Sequence, residues 1–201
     1  MIKLYDYPDC PFCQKVRVVL AEKDLEFEIK PVDLRKGEQK APEFLKLNPY
    51  GKVPVLIDDD IVIYDSTVID EYLDEEYPNP PLMPEDSAGR ARVRLLEDFC
   101  DNSFIPPAGA ILAELHKPEA ERDNEKIKKY QADVNRVLAR LEVALEGKQY
   151  LADEFSLADV AFVPRVLILA QLGIELDARL HNVAAWIARL RERPSVQSLG
   201  L

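Results

Sequence analysis

The stretch Ile2-Lys3-Leu4-Tyr5-Asp6-Tyr7-Pro8-Asp9-Cys10-Pro11-Phe12-Cys13 carries an apolar strand into an amphipathic helix and puts a thiol at the junction. Residues 2–7 read as a short strand. From Pro11 the apolar positions Phe12, Val16, Val19 and Leu20 recur at helical spacing, to about Lys23. Phe27 to Val32, closed by Pro31 and Asp33, reads as a second strand. A strand, helix and strand of these lengths require a parallel pair with a right-handed crossover.

Outward from this unit, Pro42 to Leu47 forms a short helix stopped by Asn48-Pro49-Tyr50-Gly51. Val55-Leu56-Ile57 and Ile61-Val62-Ile63, on either side of Asp58-Asp59-Asp60, form a hairpin. A helix from Ser66 to Tyr77 follows, with Val68, Ile69, Tyr72 and Leu73 on one face. Residues 1–77 are thus an α/β sandwich with one mixed sheet. Residues 78–87, Pro78-Asn79-Pro80-Pro81-Leu82-Met83-Pro84-Glu85-Asp86-Ser87, read as a proline-rich linker. Residues 88–201 contain no strand pattern. Helical periods cover 90–114, 124–146, 156–172 and 180–191, so the second domain is all-α. Pro106-Pro107 is expected to break or kink the first of these helices, and Pro164 to kink the third. Ser156-Leu157-Ala158-Asp159, preceded by Phe155, has the form of a capping box with its apolar staple.

The 201 residues are 47% hydrophobic and 31% charged, within the range of ordinary globular proteins. No apolar run approaches bilayer length, and the N-terminus reads as a strand rather than a targeting peptide, so a cytoplasmic protein is expected. The net charge of −11 argues against nucleic acid, whose phosphates demand a basic face. That charge is unevenly spread. Residues 1–77 hold 10 Lys and Arg against 18 Asp and Glu, whereas residues 88–201 hold 16 against 17.

Cys10 falls at or beside a helix N-cap, with Pro11 at the first helical position, where its missing N–H costs nothing. Unpaired amides and the positive end of the helix dipole stabilise a thiolate there, below the free value of about 8.5. Cys13 lies one turn inside, on the same side, placed to attack a mixed disulfide at Cys10 or to tune it. No metal is expected. The remaining Cys100, in the apolar run of Leu95, Leu96, Phe99 and Phe104, reads as core, and His116 and His181 lack ligand spacing. Three cysteines without a signal peptide also argue against a structural disulfide. Two further features complete a pocket: the Val53-Pro54 bond entering a strand, and Asp65-Ser66 opening a helix. Backbone groups beside Pro54 are available to an extended peptide, the helix start suits a carboxylate, and Asp65 suits an ammonium. Glutathione carries all of these groups and a thiol.

Cys10-Pro11-Phe12-Cys13, Asn48-Pro49, Lys52-Val53-Pro54-Val55-Leu56, Asp65-Ser66 and Glu71-Tyr72-Leu73 resemble the cytosolic glutathione transferase superfamily along the whole chain. The resemblance implies a thioredoxin-like N-terminal domain, a helical C-terminal domain, a homodimer, and glutathione as substrate or co-substrate. It implies that Val53 pairs with the cysteinyl backbone of glutathione and that Pro54 is cis. Asp65 and Ser66 would hold the γ-glutamyl end, Lys40 the glycyl carboxylate, and Phe12 would lie in the same binding site. The Cys-Pro-Phe sequence is similar to omega-type, lambda-type and dehydroascorbate-reducing members and to glutaredoxins, which form a mixed disulfide with glutathione. Cys13 departs from the omega-like pattern, where alanine is usual. A second resemblance, through Val16 to Lys23, Glu71 to Glu75 and Pro80 to Pro84, is to bacterial stringent starvation protein A, a fold relative that partners RNA polymerase and lacks this cysteine.

The expected activity is a glutathione-dependent thiol transferase or reductase, with Cys10 as nucleophile and a small electrophile or disulfide as second substrate. The alternatives are a non-enzymatic partner of RNA polymerase and a transferase that conjugates glutathione. The second substrate is expected near Phe99, Phe104, Ile105 and Ile111.

Overall fold

The first strand, β1 (Ile2–Asp6), buries alternate residues, Ile2, Leu4 and Asp6, as its period of two dictates. The computed structural model describes all residues, Met1–Leu201, in two units: Met1–Leu82 with Ser198–Gly200, and Met83–Gln197 with Leu201. In the first unit β1 leads into α1 (Pro11–Glu22), which returns the chain to β2 (Phe27–Pro31). The two strands pair in parallel, Ile2 opposite Phe27 and Leu4 opposite Ile29. After α2 (Pro42–Leu47), β3 (Val55–Asp58) pairs antiparallel with β1, Leu56 opposite Leu4. A tight turn joins it to β4 (Ile61–Tyr64), which gives a mixed sheet of order β2-β1-β3-β4. Asp59, at φ 50°, supplies the left-handed residue of that turn.

The last helix of the unit, α3 (Ser66–Glu76), packs against α1. Val16, Val19 and Leu20 on α1 and Ile69 and Leu73 on α3 are fully buried, so apolar contact holds the pair together. An ion pair crosses it: Lys23 Nζ lies 2.6 Å from Asp74 Oδ1, with both side chains buried. The same two groups satisfy the backbone beyond α3. Lys23 donates to the carbonyl of Pro80 at 2.6 Å, and the amide of Leu82 donates to Asp74 Oδ1 at 2.7 Å. The proline-rich segment therefore stays with the first unit as far as Leu82.

The second unit is helical. Asp86 caps α4 (Ser87–Phe99) by accepting from the amide of Gly89 at 2.9 Å. Pro106-Pro107 does not break the chain as expected. A wide π-helical turn, Cys100–Phe104, passes directly into α5 (Ile105–Leu115), and the prolines occupy its first turn, where their missing N–H groups are not needed. α6 (Asn124–Ala144) packs on α5. The next helix, α7 (Leu157–Val166), carries Pro164 inside it and stops six residues short of the expected 172, where the chain passes into turns and the amide of Leu172 is shared between the carbonyls of Ile168 and Leu169 at 3.1 and 3.0 Å. α8 (His181–Glu192) and the short α9 (Pro194–Gln197) complete the unit. Phe104, Phe162 and Trp186 form its aromatic core, with centroids 5.4 and 6.0 Å apart along the row.

The capping box at the start of α7 is present, and Asp159 does more than cap. Its Oδ2 accepts from the amide and hydroxyl of Ser156, and its Oδ1 from the amide of Leu151 and the indole of Trp186, at 3.0 and 2.9 Å. Burial pushes its carboxyl up to about 6 even though these four donors oppose the shift. Glu114 shows the reverse. Lys117, Lys126 and the amide of Asp123 hold its carboxyl down to about 2 and join the end of α5 to the start of α6. No helix is long and apolar enough to cross a membrane.

Candidate active site

Cys10 is the N-cap of α1, at φ −75° and ψ 119°, with Pro11 in the first turn. Its carbonyl accepts from the amide of Gln14 at 3.0 Å, and its own amide donates to the carbonyl of Tyr7 at 3.0 Å. The carbonyl of Pro8 is held by Gln14 Nε2 at 2.9 Å and Arg17 Nη2 at 2.8 Å, which ties the loop ahead of the thiol to the helix behind it. The Cys10 side chain makes no cap hydrogen bond. Its half-exposed position distinguishes it from the other two cysteines, which are buried, and none of the three forms a disulfide.

Cys13 is fully buried within a cluster that contains Val53, Val55, Phe44 and Val32, with Cys10, Tyr5 and Tyr7 packed against it. Burial, followed by the neighbouring Cys10 thiol, pushes the Cys13 thiol far up, while the backbone of Tyr7 acts in the opposite direction. Cys13 is therefore a neutral thiol in the resting protein. The fold thus brings Cys10, Cys13 and Val53 together, whereas Phe12 is half-buried outside this cluster.

The Val53-Pro54 peptide bond is cis. The loop before it is stitched by the buried Asn48, whose Nδ2 donates to the carbonyl of Lys52 at 2.7 Å and whose Oδ1 accepts from the amide of Tyr50 at 3.0 Å. Gly51, at φ 58°, has no room for a side chain: a Cβ there would lie 2.8 Å from the carbonyl oxygen of Gln39 and 2.9 Å from Lys40 Nζ. The Lys40 ammonium is thus laid along this loop and donates to the carbonyl of Tyr50 at 3.4 Å.

Asp65 is the N-cap of α3, and its Oδ1 accepts from the amides of Thr67 at 3.1 Å and Val68 at 3.4 Å. It adopts φ 75°, a conformation that costs a non-glycine residue on the order of 1–3 kcal/mol and that clusters at binding sites. Ser66 beside it is buried. The fully buried Lys15 of α1 donates to Thr67 Oγ1 at 3.3 Å, so the helix that begins at Cys10 is tied to the turn that holds Asp65. Lys15 was not singled out in the sequence, because its partner Thr67 is distant along the chain, and Asn48 was read as a helix stop and part of the family motif rather than as the brace of the loop before Pro54.

The residues expected around a second substrate do not form a surface. Phe104 and Ile111 are fully buried and Ile105 nearly so, packed into the helical core by the π-turn that faces them inward. Phe99 alone borders a cavity, of about 460 Å³, where Arg140 lies 5.5 Å over its ring. That cavity belongs to the helical unit and holds no cysteine among its lining residues.

Residues 4–81 match the glutathione S-transferase N-terminal domain and residues 104–194 its C-terminal domain. Glutathione S-transferase 3 of Zea mays is 34% identical over 98% of this chain and 91% of its own. The stringent starvation protein A homolog of Pasteurella multocida is 34% identical over 94% of this chain and 86% of its own. Among solved structures, poplar glutathione transferase F1 superposes with a TM-score of 0.87 at 31% identity, covering 98% of this chain and 95% of that one. Ure2p in complex with glutathione gives 0.86 at 26% identity, covering 98% and 92%. The chain belongs to the glutathione S-transferase family.

Proposed function

We propose that this protein is a cysteine-type glutathione transferase that exchanges thiols. The observation that carries the reading is the position of Cys10: a half-exposed thiol at a helix N-cap, beside a cis-proline loop. Amides of the first turn and the helix dipole favour its thiolate. The thiolate attacks the glutathione sulfur of a glutathionylated substrate, forms a mixed disulfide with glutathione, and releases the substrate thiol as its thiolate. A free glutathione thiolate then attacks that mixed disulfide, leaves as oxidised glutathione, and returns Cys10 to the thiolate. The backbone of Val53 pairs with the cysteinyl part of glutathione, Asp65 and Ser66 hold its γ-glutamyl end, and Lys40 meets its glycyl carboxylate. Phe12 lines the same site. The solved relatives with glutathione or oxidised glutathione bound support the ligand.

The protein acts in the cytoplasm as a homodimer in this reading. An exposed apolar patch on the first unit supports the second point: Tyr50 is 68% exposed and its ring meets Tyr64 at 5.9 Å, next to the exposed Ile61 and Val62 of β4. The stringent starvation protein A homologues favour a second reading, a partner of RNA polymerase without catalysis. Binding separates the two. The wild-type protein is expected to be retained on immobilised glutathione and eluted by free glutathione. Asp65→Ala is expected to weaken calorimetric binding by about tenfold or more, since a hydrogen bond to a charged group is worth roughly 1.5–3 kcal/mol. An unfolded variant is excluded by its circular dichroism, because one lost cap costs only about 1 kcal/mol. No retention of the wild-type protein would favour the partner reading.

A further inference from the structure

The buried row of β1 reads Ile2, Leu4, Asp6, an acid where the period calls for a third apolar residue. Asp6 is 2% exposed, and its Oδ1 has no hydrogen-bond partner. The nearest cation is Arg17, whose Nε lies 3.4 Å away without forming a hydrogen bond, while its Nη2 is committed to the carbonyl of Pro8. A buried carboxylate so poorly paired costs several kcal/mol, and a simple counterion for Arg17 would be better placed at the surface. What faces Asp6 is the Cys13 thiol, which interacts with it, and Cys13 in turn interacts with Cys10. Four groups thus form one chain through the buried Asp6 and Cys13: Arg17, Asp6, Cys13 and Cys10.

We propose that Asp6 is the internal proton acceptor for Cys13, which makes Cys13 the resolving thiol of a second, dithiol route. The proposal rests on the mixed disulfide at Cys10 argued above. A fully buried thiol has no access to water, and its attack on that disulfide requires a base within the protein. In the step, the proton of Cys13 Sγ passes to the Asp6 carboxylate and the Cys13 thiolate attacks Cys10 Sγ. The Cys10–glutathione bond breaks, and glutathione departs as a thiolate that takes a proton from water. The two cysteines are oxidised to a disulfide and the glutathione sulfur is reduced. Thiols in solution, glutathione or a dithiol, return the pair to its reduced form. Burial raises the Asp6 carboxyl, with Arg17 and then Cys13 lowering it, so Arg17 sets how readily the acid accepts the proton.

The test follows the fate of Cys10 after mixing the reduced protein with oxidised glutathione, by acid quench, alkylation and mass spectrometry. In the wild-type protein the glutathionyl adduct on Cys10 is expected to give way to the Cys10–Cys13 disulfide. In Asp6→Asn the adduct is expected to form at the normal rate but to convert at least tenfold more slowly at neutral pH, approaching the wild-type rate as hydroxide replaces the lost base. Arg17→Gln, at a position 18% exposed, keeps the acid and is expected to shift the pH profile of conversion upward, which a structural role for Asp6 would not produce. Conversion at the wild-type rate and pH profile in both variants would overturn the role of Asp6. If Asp6→Asn fails to fold, an unshifted profile in Arg17→Gln alone overturns it. Failure of the adduct to form in the wild-type protein and in Cys13→Ser would instead overturn the Cys10 mechanism itself.

Discussion

Cys10→Ser is expected to reduce the deglutathionylation of a small glutathionylated substrate by roughly 10³-fold or more, to the background rate with free glutathione. A serine hydroxyl at this N-cap cannot form the mixed disulfide, because only a thiolate attacks sulfur with the release of a second thiolate. Cys13→Ser is expected to stay within about tenfold of the wild type, since glutathione from solution resolves the adduct. The contrast also separates thiol transfer from conjugation. A hydroxyl at the N-cap still donates a hydrogen bond to a bound glutathione thiolate, so a conjugating enzyme would keep or gain activity toward an aryl halide in Cys10→Ser. Equal loss in both single variants would mean that glutathione from solution does not resolve the Cys10 adduct and that turnover depends entirely on the dithiol route.

The second large effect is on stability. Asp159→Ala leaves the amides of Leu151 and Ser156 and the indole of Trp186 without their acceptor, in a region where all are buried. Each such donor costs on the order of 1–3 kcal/mol, partly offset by release of a carboxyl that burial already disfavours, for a net loss of about 3–5 kcal/mol. At roughly 2–4 °C per kcal/mol for a chain of this length, Tm falls by about 6–20 °C. Ser156→Ala, which removes the reciprocal half of the box, is expected to cost only about 1 kcal/mol. Thermal denaturation of the two variants side by side checks the ranking. Similar, small shifts would mean that Asp159 acts as a cap alone and not as the anchor of Trp186.

Local rules made much of the first unit legible. The period of two in Ile2 to Asp6, the helical spacing after Pro11 and the apolar run from Val55 gave strand, helix and hairpin in the right order. Pro11 betrayed the N-cap at Cys10, and Asp65 before Ser66 betrayed the next one, because a cap is written in adjacent residues. The family signature led to the same positions.

What stayed hidden depends on folded geometry that no local pattern announces. Nothing near Pro106-Pro107 announces that a π-turn from Cys100 will absorb them, nor that this turn buries Phe104, Ile105 and Ile111 in the core. α7 ends at Val166, where an apolar pattern continuing to Leu172 suggested more helix, because the chain beyond it is held in irregular turns. Asn48 looks like a turn residue, and its use in holding the Lys52 carbonyl beside the cis bond appears only in the folded loop. Asp6 carried a readable signal, an acid on the buried face of a strand, but its significance needed Cys13 to be packed against it.

Every step of the proposed exchange depends on glutathione bonding to Cys10, and the Cys13→Ser protein offers the most direct measurement. Incubated with oxidised glutathione, digested without reductant and mapped by mass spectrometry, it is expected to carry one glutathionyl group, on the peptide containing Cys10, removable by excess thiol and absent when Cys10 is also replaced by serine. A folded Cys13→Ser protein that binds glutathione while Cys10 remains unmodified would contradict it.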